Sequence, residues 1–163
     1  MMDFEKIISS DLSLRINAYL RIVDIININE PFVTRDEVKD SFVRFALIVS
    51  SVDEDLSDEE VKLINELFGF SYDYEHLSEL LPSKEERDKF FNTIPPKMLS
   101  FSMNIDKKIG IDSKSSESVA MMYYYLMLDL LKTCISADRK IDLREETLFN
   151  EYCFMMKTYI EEQ

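Results

Sequence analysis

Two glycines and four prolines in 163 residues leave this chain very few places to break regular backbone. Average proteins spend roughly 12% of their positions on these two residue types. Phosphate-cradling loops, dinucleotide fingerprints and nucleophile elbows each need glycine where the backbone turns sharply or touches a ligand. The sequence contains none of these motifs. A single His and no Trp likewise exclude His-rich zinc sites. What remains is a chain written almost entirely in the helical period.

Ile8, Leu12, Ile16, Tyr19, Leu20, Val23 and Ile26 form one apolar stripe that stops at Asn29-Glu30-Pro31. Thr34-Arg35-Asp36-Glu37 is a capping-box start for a second helix, with Val38, Phe42, Phe45, Ala46, Val49 and Val52 facing one way. Ser57-Asp58-Glu59-Glu60 repeats the box and opens a third helix bearing Val61, Ile64, Leu67 and Phe68. Gly69 before Phe70, and Gly110 before Ile111, suit left-handed helix terminators. The second of these follows the stripe Met98, Phe101, Ser102 and Ile105. Short helices are expected near residues 73–81 and 84–94, and long ones near 115–136 and 143–161. The expected fold class is all-α, a bundle of about eight helices in one domain, with no strand.

Lys and Arg number 19 against 32 Asp and Glu, a formal charge of −13. Phosphate neutralisation needs clustered bases, so a nucleic-acid partner is not expected unless the chain imitates one. No basic leader precedes an apolar run, and the run Met121–Leu128 is far short of the roughly 20 residues that span a bilayer. A cytoplasmic setting without a membrane partner is expected. Cys134 and Cys153 lie in apolar helical runs without CxxC spacing, which suits buried reduced thiols. His76 has no second His or Cys near it and suits a surface or capping role.

The two ends of the chain carry related patterns. FVRFALIVSSVDEDLSDEEVKLINELFG and MLDLLKTCISADRKIDLREETLFNEYCF both read as a long apolar helix, an acidic turn and a second helix. Asp53 aligns with Asp138, Leu56 with Ile141, and Glu60 with Glu145. This suggests two pseudo-symmetric helical hairpins, 35–69 and 114–161, joined by a helical spacer over 70–113. The repeated element, Asp with an aliphatic three residues on and Glu seven residues on, resembles the half-motif of the TerB-like family, named for tellurite resistance. Ala137-Asp138, Ile141 and Glu145 match that motif in the second copy; Asp53, Leu56 and Glu60 match it in the first. Glu54 and Arg139 stand where the family has glycine. The order of hairpin, spacer with Ile94-Pro95-Pro96 and hairpin is also similar to the N-terminal region of some bacterial AAA+ ATPases. The resemblance implies a non-catalytic binding or adaptor module in a stress or defence setting, with a protein partner such as an AAA+ ATPase, fused or separate.

Six carboxylates crowd Asp53 to Glu60. One account is a weak Ca²⁺ or Mg²⁺ site, with Asp53, Asp55 and Glu60 as oxygen ligands and Asp138, Asp142 and Glu145 as the second set. An EF-hand is excluded, since Ile64 and Phe149 stand at the twelfth position where a bidentate Glu is required. The other account is capping, with Ser57 and Asp142 as N-caps and Glu60 and Glu145 as box partners. The second turn also holds Arg139, Lys140 and Arg144, which repel cations. The Met- and Tyr-rich run Met121–Leu128 fits a buried central helix, or else an adaptable partner groove. No catalytic or cofactor-binding residue stands out. Two further classes of function remain open at this point: an acidic decoy that mimics nucleic acid, and a metal-dependent hydrolase built on the acidic turns.

Overall fold

The structure, a computed structural model, describes residues 4–27, 35–50, 56–93, 96–137 and 143–163, with side chains described for all of these except 4–10 and 26–27. Among the described residues there are eight α-helices and no strand. They are α1 (Phe4–Asn27), α2 (Arg35–Ser50), α3 (Asp58–Phe68), α4 (Tyr74–Glu79), α5 (Lys84–Asn92), α6 (Lys97–Ile109), α7 (Val119–Ala137) and α8 (Leu143–Glu161). The expected all-α bundle is what forms.

The apolar stripes become the core as their periods require. Leu12, Ile16, Tyr19, Leu20 and Val23 of α1 are buried, as are Val38, Phe42, Phe45, Ala46 and Val49 of α2. The side chains of Ile8 and Ile26, and Val52 and the cap residue Thr34, lie outside the described residues. In α3, Ile64, Leu67 and Phe68 are buried together with Leu63, while Val61 is half-buried. Both glycines end helices as expected: Gly69 has φ 69° and Gly110 φ 75°. Each releases the next residue's amide backwards, Phe70 N–H to Asn65 O at 3.1 Å and Ile111 N–H to Asp106 O at 2.9 Å.

Helix α7 is the axis of the bundle, packing against α1, α2, α3, α6 and α8. Its Ala120, Tyr123, Leu126, Met127, Leu130 and Leu131 are essentially sealed from solvent. Tyr124 is buried as well, whereas Met122 is half-buried. Burial on most sides, rather than a partner groove, is therefore the role of this Met- and Tyr-rich helix. Tyr19, Phe42 and Tyr123 meet in a triangle with ring centroids 5.7–5.9 Å apart, joining α1, α2 and α7. A second aromatic group ties the polar helix α5 to its neighbours. Phe90 lies 5.8 Å from Phe45 and 5.3 Å from Tyr152, and Phe91 lies 5.5 Å from Phe149.

Helix α7 starts at Val119 rather than near residue 115. Two successive turns explain the later start, Ser115 N–H to Asp112 O at 2.9 Å and Ser118 N–H to Ser115 O at 3.0 Å. Ser118 then caps the helix, its hydroxyl oxygen accepting from the Met121 amide at 3.0 Å. A second cap comes from another helix. The carboxylate of Asp106, on α6 and fully buried, accepts from Val119 N–H at 2.7 Å and Ala120 N–H at 3.0 Å. The Ser113 hydroxyl donates to the same carboxylate at 3.0 Å. One turn earlier on α6, Ser102 donates to Met98 O at 2.8 Å, which leaves its oxygen to accept from the Tyr19 hydroxyl.

Burial raises the hydroxyls of Tyr19, Tyr123 and Tyr152 above the usual phenol range and pushes the Cys153 thiol up to about 12. Cys134 and Cys153 are both buried and form no disulfide, so neither thiol is an exposed nucleophile.

Two outcomes follow from this architecture. Asp106→Ala strands two buried amides at the start of the central helix, so unfolding in urea should show a loss of about 3 kcal/mol. Asp106→Asn, which keeps one acceptor oxygen, should lose about half as much. The second outcome concerns alkali. The unfolded chain releases phenol and thiol protons that the native state retains, so these groups lower stability progressively as pH rises above about 8 and have no such effect at lower pH. Urea midpoints measured between about pH 8 and pH 11 should decline monotonically, and Cys153→Ala should remove the earliest part of that decline.

Candidate functional site

The acidic corners are the residues to which the sequence points most directly. Asp53, Asp55, Asp138 and Asp142 lie outside the described residues, as does the Asp138–Asp142 turn. Glu60 and Glu145 are described. Glu60 sits in the first turn of α3 and is only 2% exposed, and Glu145 is half-buried in the first turn of α8. The Ser57 hydroxyl accepts from the Glu60 amide at 3.2 Å, which forms the expected Ser57 half of the capping box. Leu56, immediately before the cap, is buried in the core and fixes the entry of the chain into α3. Among the described residues no three His, Cys, Asp or Glu side chains converge in a way that could hold a metal ion.

His76 takes the surface role expected of it. Its amide donates to Asp73 at 2.8 Å in the first turn of α4, and its ring stacks on Tyr72 at 4.1 Å with 9° between the planes. Tyr72 in turn stacks on Phe70 at 4.6 Å, and Lys39 Nζ lies 4.7 Å above the Phe70 ring. Asn65 grips the loop from α3, donating to Tyr72 O at 2.8 Å and accepting from Tyr72 N–H at 3.0 Å. This ladder closes the α3–α4 junction with its own hydrogen bonds and stacking.

The arrangement that packing does not account for is on α8. Phe149, Tyr152, Cys153, Met156 and Ile160 turn inwards, while Leu148, Phe154 and Met155 are 47%, 67% and 49% exposed. Leu143, at the start of the helix, is exposed too. Glu151 stands among them, three residues from Leu148 and Phe154 and four from Met155, so its side chain neighbours each of the three on the outer face. Elsewhere among the described residues the exposed large apolar residues number at most two to a helix, and Ile109 and Ile111 flank Gly110 at the end of α6. Leu14 and Ile25, for example, share α1 but are separated by roughly 16 Å of helix rise. A signal for the α8 face was present in the sequence. Tyr152 to Met156 is five apolar residues in a row, and at 3.6 residues per turn such a run cannot all face inwards.

No family model, no curated protein and no solved structure matches this chain. No helix among the described residues is long and apolar enough to cross a membrane.

The capping account of the first acidic corner makes a measurable statement. Ser57→Ala should cost about 1 kcal/mol of stability, and by the same amount with and without millimolar Ca²⁺. A Ca²⁺-dependent difference, or ion binding in calorimetry that Glu60→Gln abolishes, would place a cation at this corner instead.

Proposed function

We propose that this chain is a non-catalytic helical binding module, an adaptor that holds a protein partner on the outer face of α8. The observation that carries this reading is the exposed trio Leu148, Phe154 and Met155 on a helix whose opposite side is fully engaged in the core. Apolar side chains grouped on one outer helix face of a well-packed bundle mark interaction surfaces, and Phe and Met are enriched in them.

The TerB-like resemblance of the two acidic corners points the same way. Support for a duplicated architecture comes from the packing: α2 lies against α3 and α7 against α8, and the first helices of the two hairpins, α2 and α7, pack on each other. A stress or defence role, an AAA+ ATPase as the partner and a weak divalent-cation site at the corners belong to this reading as its finer parts. The decoy alternative calls for a continuous acidic face. Its support is weaker, because Lys84, Arg87 and Lys89 stand among Glu85, Glu86 and Asp88 on α5, and Lys107 and Lys108 close α6.

The adaptor reading is tested by quantitative affinity capture from the source cells, comparing the wild-type chain with Phe154→Asp. The expected result is a stoichiometric protein partner held by the wild type and lost with the variant. Circular dichroism and thermal unfolding of the variant should be unchanged, since Phe154 contributes little to the core. Equal capture by both chains would remove the α8 face from the interaction.

A further inference from the structure

The chemistry of the α8 face narrows what can cover it. Glu151 is exposed and sits between Leu148 on one side and Phe154 and Met155 on the other, so an occupant that buries the apolar side chains also covers this carboxylate. Residues 143–163 carry five glutamates against Arg144 and Lys157, and Lys157 already lies 4.0 Å from Glu161. A second copy of the chain is a poor occupant. A symmetric contact centred on the face brings the two Glu151 carboxylates together as they lose water, and each copy adds a formal charge of −13. A partner of opposite charge faces no such repulsion and gains from steering towards an acidic surface.

From this charge pattern we infer that the occupant of the α8 face is a basic amphipathic helix of a different protein, with apolar anchors against Leu148, Phe154 and Met155 and a Lys or Arg opposite Glu151. Leu148, Phe154 and Met155 stand at i, i+6 and i+7 and so span about two turns of α8, a length along which a partner helix can lay its own apolar residues at i, i+3, i+4 and i+7. Flexible thioether and aromatic side chains let such a face accept anchors of varied shape. This inference rests on the adaptor reading and specifies the chemistry of its partner.

The test uses three labelled synthetic peptides of about 18 residues: an amphipathic Leu/Lys helix, a Leu/Glu helix of the same pattern, and the Leu/Lys composition in scrambled order. Binding to the full chain is followed by fluorescence anisotropy. The Leu/Lys helix should bind at least tenfold more tightly than either of the others. Phe154→Ser and Glu151→Lys should each weaken it by roughly tenfold or more, and added salt should weaken it further. Besides a failure of every peptide to bind, three results would overturn the inference. One is equal binding of the scrambled peptide, which would mean unspecific charge attraction. Another is tighter binding of the Leu/Glu helix, which would keep α8 as the docking face but reverse the partner's charge. The last is a dimer in sedimentation equilibrium that Phe154→Ser dissociates, which would give the face to a second copy. If no peptide binds although capture of a partner still depends on Phe154, the helical form of the partner is wrong and the adaptor reading stands.

Discussion

A buried carboxylate reaching across from one helix to the first amides of the next is the contact on which this bundle turns. Asp106 gives up hydration completely, and that is tolerable because Val119 N–H, Ala120 N–H and the Ser113 hydroxyl replace the lost water. The positive end of the α7 dipole adds to the same interaction. Five other helices are laid against α7, so where this helix begins and how it is aimed sets the frame for most of the core. The carboxylate also stands one turn beyond Ser102, whose hydroxyl holds Tyr19 of α1. One inner edge of α6 thereby positions both α7 and α1 through polar contacts inside an otherwise apolar interior.

The remaining joints are made by aromatic rings and by helix ends. Phe90 and Phe91 fasten α5, a helix with no fully buried residue, to Phe45 and to the Phe149–Tyr152 edge of α8. Ion pairs at the surface, such as Arg15 with Asp129 at 2.7 Å and Arg35 with Asp24 at 3.0 Å, link neighbouring helices but remain partly in water, where such pairs contribute little. With both glycines spent on terminating α3 and α6, the backbone has no glycine left with which to shape a ligand loop. Among the described residues, α8 carries more exposed large apolar side chains than any other helix: Leu143, Leu148, Phe154 and Met155.

Much of the fold could be read from the chain. The stripes of α1, α2, α3 and α6 predicted most of their described buried faces, since a helix that packs on one side must repeat its apolar residues every three to four positions; Val61 is only half-buried, and Leu63, Leu99 and Asp106 are buried off the stripes. The Ser57 cap and the two left-handed glycines were equally plain, being local events settled within five or six residues. The α8 face was less visible, although the five apolar residues from Tyr152 to Met156 could have exposed it. The longer apolar run around Tyr123 is the stronger signal in the sequence, and the bundle absorbs it into its centre.

By itself, the sequence determined the all-helical class, the helix ends and the inward faces, because each depends on backbone preference and periodicity over short stretches of chain. Tertiary structure alone decided that α7 would be the axis, that it would start at Val119, and that Asp106 would cap it from 13 residues away. It also decided which apolar side chains of α8 stay in water. These outcomes depend on which helices become neighbours, and periodicity within one helix carries no information about the surface that will be laid against it.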